Sequence, residues 1–103
     1  MPDYFLVEYG RGPAWDHSRR RREQAGWEEH AAFMDALTDE GFAVLGGPIG
    51  EDDGEAENVL VVVAAADEAT ARARLDADPW LGRILTIASL RPWTIWLRAP
   101  AAP

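Results

Sequence analysis

Two hydrophobic periods alternate along the chain. "YFLVEY" (Tyr4 to Tyr9) crowds aromatic and branched residues into six positions and stops at Gly10, which predicts a strand. "GRGPAWDHS" carries glycine and proline and predicts a loop. A helix follows, irregular near Gly26 and continuous from Trp27 to Glu40, with Gly41 at the C′ position, where a positive φ is wanted. "FAVLGGPI" predicts a second strand, bulged at Gly46-Gly47-Pro48. The acidic run "EDDGEAE" turns the chain into "NVLVVVAA", the clearest strand of all. Asp67 then N-caps a helix, "DEATARARLDAD", which Pro79 terminates. "ILTIASLRPWTIWL" predicts a last strand, edged or interrupted at Pro92.

The order β-α-β-β-α-β, with a short link between strands two and three, predicts an α+β fold: a ferredoxin-like βαββαβ sandwich with both helices on one sheet face. The domain would span residues 1–98, and 99–103 would be a disordered or extended tail. The strands are apolar on both sides of the pleat: "VLVVVA" has no polar face, and Phe5, Val7 and Tyr9 oppose Tyr4 and Leu6. A sheet wetted on one side should alternate. A second layer is therefore expected, and a homodimer packed sheet to sheet would supply it as a dimeric α+β barrel. Either Val61 or Val62 would face that interface; the pattern does not say which.

One helix position breaks the pattern. At about 100° per residue, Trp27, Ala31, Phe33, Met34 and Leu37 form one apolar arc, and His30 lies inside it. Glu28, Glu29, Asp35, Asp39 and Glu40 lie elsewhere, with Asp39 on the far side of the helix. No carboxylate of its own helix can orient His30, so a partner must come from another element. The best placed is in "DADPW". An acid at a helix C-terminus opposes the helix dipole, and Pro79 pushes Asp78 out of helical geometry. Two readings stay open for each residue. His30 is a core histidine satisfied by a carbonyl, or a functional base. Asp78 closes an Asx-type turn, or belongs to a site.

Composition narrows the chemistry. The 103 residues make one domain with enough apolar content, 48%, for a real core. There is no cysteine, hence no disulfide and no thiol nucleophile. With two histidines and no thiolate, no metal site and no cofactor is expected; "GGPIG" lacks phosphate-loop and dinucleotide spacing. The first residues lack a basic leader, and no segment approaches the roughly 18 apolar residues of a membrane span. A soluble cytoplasmic protein is expected. A net charge of −8 argues against nucleic acid or a membrane as partner. The exception is "SRRRREQ", Arg19 to Arg22, which is a solvated stretch or an anion contact at the mouth of a site. The acidic loop, Glu51 to Glu57, is expected to be mobile and away from the site.

Several short motifs appear together in order: Tyr9 on its strand, His30 on the first helix, "DEG" at Asp39-Glu40-Gly41, "GGP" at Gly46-Gly47-Pro48, "ADP" at Ala77-Asp78-Pro79, and "SLRPW" from Ser89 to Trp93. In these the chain resembles, over nearly its full length, the YCII-related proteins, small dimeric α+β barrel proteins of ferredoxin-like fold. The resemblance implies a site built on a His–Asp dyad, His30 with Asp78, near the Gly-Pro turn. Where an activity is known in that family, it includes dehydrochlorination of a chlorinated hydroxyhydroquinone. The acidic loop and the arginine-rich insert depart from the family pattern.

The expected function is general acid–base proton transfer by His30, oriented by Asp78, on a small anionic or phenolic substrate: an elimination, isomerisation or hydrolysis. Ser89, Gly47, Pro48 and an arginine, Arg91 or Arg22, would bind the substrate. The alternative is a ligand-binding or accessory protein that holds a small molecule in the same pocket without turnover.

Overall fold

Strand β1 (Asp3–Arg11) is the spine of the sheet. It pairs antiparallel with β3 (Val59–Ala65) on one side and β4 (Leu85–Trp93) on the other, and β2 (Ala43–Pro48) lies outside β3. The strand order β2-β3-β1-β4 is that of a ferredoxin-like sandwich. The computed structural model describes residues 3–50 and 55–100. Four residues of the acidic loop, 51–54, and the last three of the expected tail lie outside that range.

Helix α1 (Trp27–Asp39) links β1 to β2, and α2 (Glu68–Leu75) links β3 to β4. Their boundaries follow local chemistry. Gly41 takes φ +80° just past the end of α1, a backbone state that glycine adopts at no steric cost. Asp67 accepts a hydrogen bond from the Thr70 backbone N–H at 2.7 Å, which caps α2 and holds its own carboxyl below the ordinary value. Phe5, Val7 and Tyr9 point to the helices and are buried with Val61, Val63 and Ala65 of β3, Leu37 of α1, and Ala71 and Leu75 of α2.

Three expectations shift. The bulge in β2 falls between Ala43 and Leu45, not at Gly46-Gly47-Pro48. Gly46 is needed for another reason: a Cβ there would lie 2.8 Å from the Leu60 carbonyl oxygen. Helix α2 ends at Leu75, so Asp78 sits beyond it, in a chain of turns closed by Asp78 N–H to Leu75 and Leu81 N–H to Asp78. Strand β4 stops at Trp93 instead of running to Leu97, because β1, its one neighbour, begins at Asp3. Pro92 is tolerated on this edge strand, where an N–H is dispensable.

Cross-strand pairing assigns the second face. Leu6 pairs with Val62 and Arg91, Tyr4 with Ala64 and Trp93, and Glu8 with Leu60 and Ser89. Val62 therefore faces away from the helices and Val61 toward them. This second face carries Leu6, Leu60 and Val62 at its centre, and neither helix covers it.

Candidate functional site

The site starts at the left-handed residue that opens α1. Gly26 has φ +77° and serves as the N-cap, and its carbonyl accepts the His30 N–H at 3.0 Å. A Cβ on Gly26 would sit 3.3 Å from Trp80 Nε1, so a side chain here would crowd that indole. Trp80 Nε1–H instead donates to the Ala25 carbonyl at 2.8 Å. The pinned indole lies flat on the His30 imidazole, with ring centres 4.1 Å apart and planes 6° from parallel. Trp27 leans on both rings, at 5.8 Å from His30 and 5.6 Å from Trp80.

Asp78 completes the arrangement from the turns after α2. Its side chain is 1% exposed, and both carboxylate oxygens lie 2.9 Å from His30 Nδ1. Oδ1 also accepts the Trp80 backbone N–H at 2.9 Å. The Asx turn and the site contact are thus one structure: the bond that closes the turn aims the carboxylate at the imidazole. A carboxylate only accepts, so Nδ1 carries the proton and Nε2 is left as the acceptor. An isolated buried carboxylate is costly. Two N–H donors offset that cost here, and the stacked indole adds a favourable face for a protonated imidazole.

His30 lines a cavity of about 480 Å³ between α1, the bulged edge of the sheet and the arginine-rich segment. The walls are mostly apolar, with Trp27, Met34, Ala43, Val59, Val61 and Leu85. Gly47 and Pro48 are there, as expected, on β2. The polar lining is Tyr9, Arg21, His30 and Thr38. An apolar chamber with a few convergent polar groups is the usual form of a small-molecule site.

Ser89 and Arg91 are not brought to this cavity. They pair with Glu8 and Leu6, so they share the second sheet face, opposite Tyr9. A bulge in β4 opposite Glu8–Tyr9 sets that alternation, and sequence alone does not reveal it. Among the arginines, Arg22 is exposed and does not line the cavity; its guanidinium lies 5.8 Å from the ring centre of Trp27, which does. Arg21 is the buried one, 7% exposed, and lines the cavity. Its backbone N–H donates to Glu55 Oε1 at 2.8 Å, and its guanidinium donates to the Ala56 carbonyl and lies 5.2 Å from the Trp15 ring centre. Arg11 stands 4.8 Å from the same indole and donates to the Glu55 carbonyl at 3.1 Å. The descending arm of the acidic loop is therefore packed against the site wall, contrary to the expectation that it would lie apart.

Sequence reasoning also missed Gln24 and Tyr9 as site-building residues. Gln24 is buried and folds the arginine segment on itself: Nε2 donates to the carbonyls of Asp16 and Arg19, at 2.8 and 3.0 Å, while Oε1 accepts the Asp16 N–H at 2.9 Å. Tyr9 is 2% exposed, and its hydroxyl has no hydrogen-bond partner among the described residues. Burial first, and the charge of Asp78 second, push its phenol above the ordinary value. The available signal was its place at the polar end of the inward row Phe5, Val7, Tyr9.

Among the described residues, no three histidines or carboxylates gather as a metal-ligand set. No helix among them is long and apolar enough to cross a membrane. Fold and site together define a ferredoxin-like α+β domain in which a half-buried histidine, held by a buried carboxylate, opens on an apolar chamber. The chain belongs to the YCII-related domain family, whose model matches residues 4–94. No curated protein and no solved structure matches it.

Proposed function

We infer that this protein is an enzyme of small-molecule metabolism in which His30 moves a proton and Asp78 orients and charges it. One observation carries the reading: both Asp78 oxygens engage Nδ1 at 2.9 Å, which leaves Nε2 as the basic atom of a residue that lines the cavity. The substrate enters between β2 and α1, its apolar body against Trp27 and Met34. Nε2 takes a proton from a C–H, an O–H or an attacking water. The imidazolium that forms is paired with Asp78 and stacked on Trp80, then returns the proton to product or leaving group. Arg21 in the cavity wall, with Arg22 beside Trp27, favours a substrate bearing an anionic or phenolic oxygen. The acting unit is a homodimer packed through the second sheet face. These groups suit elimination, isomerisation or hydrolysis.

The test begins with native mass spectrometry of the purified protein to find a retained metabolite, followed by assays on that compound and its chemical neighbours. Native protein should turn the compound over. His30→Gln should remain folded and lose turnover by roughly 10²-fold or more. Binding without turnover in the native protein, or full activity in His30→Gln, would favour a ligand-binding protein instead.

A further inference from the structure

The acid–base reading leaves two polar side chains of the cavity unused, and one of them, Thr38, already donates its hydroxyl to the Met34 carbonyl at 2.9 Å. Tyr9 is the other, and its hydroxyl is buried and has no partner among the described residues. Native proteins rarely leave a buried hydroxyl unpaired, because the group has given up water and gained nothing. Its neighbours sharpen the point. The nearby carboxylate, Asp78, is engaged by His30 and by the Trp80 N–H. The phenol is held protonated by burial and by that same negative charge, so it acts as a donor and not as a base. His30, whose Nε2 is left as an acceptor, and Tyr9, whose buried hydroxyl awaits one, thus line one apolar chamber.

Building on the acid–base reading, we propose that Tyr9 is a further catalytic residue, whose O–H donates to the substrate oxygen that becomes negative when His30 removes the adjacent proton. The substrate class is then a small carbonyl or hydroxyaryl compound that can form an enolate or phenolate. The step balances without a co-reactant. The C–H or O–H bond breaks and an N–H bond forms at Nε2. The electron pair settles on the substrate oxygen, and the tyrosine keeps its own proton while its hydrogen bond shortens. A donor already in place, in a chamber with little water, stabilises the oxyanion without having to reorient.

The test uses 4-nitrophenolate as an oxyanion probe, titrated calorimetrically at a pH where the probe is already ionised, so that His30 is not needed as a base. Native protein should bind it. Tyr9→Phe should bind it roughly tenfold or more weakly, the loss of one charge-assisted hydrogen bond. The same variant should melt higher than the native protein, because the unpaired hydroxyl is gone. That combination, weaker binding with greater stability, is one a plain core tyrosine cannot produce. Equal affinity in native protein and Tyr9→Phe, or no native binding at millimolar probe, overturns the proposal. The two readings fail separately. Unchanged probe affinity in Tyr9→Phe with turnover lost in His30→Gln removes the tyrosine donor alone. Turnover kept in His30→Gln with probe binding lost in Tyr9→Phe removes the acid–base role and leaves the donor.

Discussion

Asp78 serves three purposes with one carboxylate: it closes its own turn, holds His30 Nδ1, and places a charge beside Tyr9. Substitutions should separate these. Asp78→Asn keeps an oxygen for the Trp80 N–H, so stability should fall by only about 1 kcal/mol. It loses the charge that pairs an imidazolium, and turnover should fall by roughly 10²- to 10⁴-fold. Asp78→Ala leaves two buried donors unmet and should cost about 1–3 kcal/mol for each. Denaturant melts and steady-state kinetics on the two variants measure the split. In His30→Gln, Asp78→Asn should have little further effect on turnover, since groups that act as a unit are not additive. Alkaline titration examines Tyr9. Its folded-state phenol value lies above the unfolded one, so the unfolded chain releases its proton first. The stabilising effect is complete below about pH 10, the ordinary phenol value, and is lost as pH rises beyond it. Tyr9→Phe should therefore unfold less steeply in base than the native protein. At this scale the sequence was half legible. His30 was conspicuous in its apolar arc, and Asp78 was awkward at its helix end. Tyr9 carried part of the family resemblance but no role, because only the third dimension shows that its hydroxyl lacks a partner among the described residues.

Elements were legible wherever neighbours along the chain decide them. Gly41 and Asp67 end and begin helices through their own backbone and side chain, and both were readable. The β2 bulge, the β4 bulge and the end of β4 depend on which residue lies across the sheet, and no local pattern encodes that. The same limit hid the strap formed by residues 12–26 and the acidic loop. The arginine run read as a solvated stretch or an anion contact and the acidic run as a solvated loop, yet Glu55 ties them together through the Arg21 N–H and an ion pair with Arg20 at 3.9 Å. Glu55→Ala should loosen this strap without unfolding the domain. The expected result is faster proteolysis between Asp16 and Gln24, weaker cavity-ligand binding, and a melting temperature within a few degrees of native. A large drop in global stability would instead make the strap part of the cooperative core. On the opposite wall, Gly46→Ala forces a methyl against the Leu60 oxygen and Val61 Cγ2, at 2.8 and 2.9 Å. It should cost about 1–3 kcal/mol as β2 is pushed off β3, carrying the Gly47-Pro48 wall with it.

Among the described residues, one face of the sheet has no helix against it. Tyr4, Leu6, Leu60, Val62 and Trp93 share a face that neither helix covers, and Trp93 is 45% exposed. Tyr4 is crossed there by the Arg98 guanidinium, 5.2 Å from its ring centre. A sheet face of this kind can supply the roughly 800 Å² per partner that a stable interface needs. A second copy is the expected cover, since a two-fold axis lying in the plane of the interface, parallel to the sheet, would set each apolar centre on its own equivalent. Light scattering at micromolar concentration should then give twice the chain mass of 11.4 kDa. The pairing register chooses the test residue. Val61 faces the core, so a charge there would destroy the fold and report nothing about assembly. Leu6 lies at the centre of the uncovered face, half-buried in the single chain. Leu6→Arg should fold, because a long side chain can carry its charge out to water when the face is free. It should not dimerise, because two such charges would meet across the axis. The expected outcome is a folded monomer whose tryptophan emission is shifted to the red as Trp93 becomes wetter. A native protein that scatters as a monomer, or a Leu6→Arg variant that remains a dimer, would place the interface elsewhere. The site faces the helix side of the sheet and draws its named groups from one chain. A monomeric Leu6→Arg that retains turnover would therefore separate assembly from chemistry.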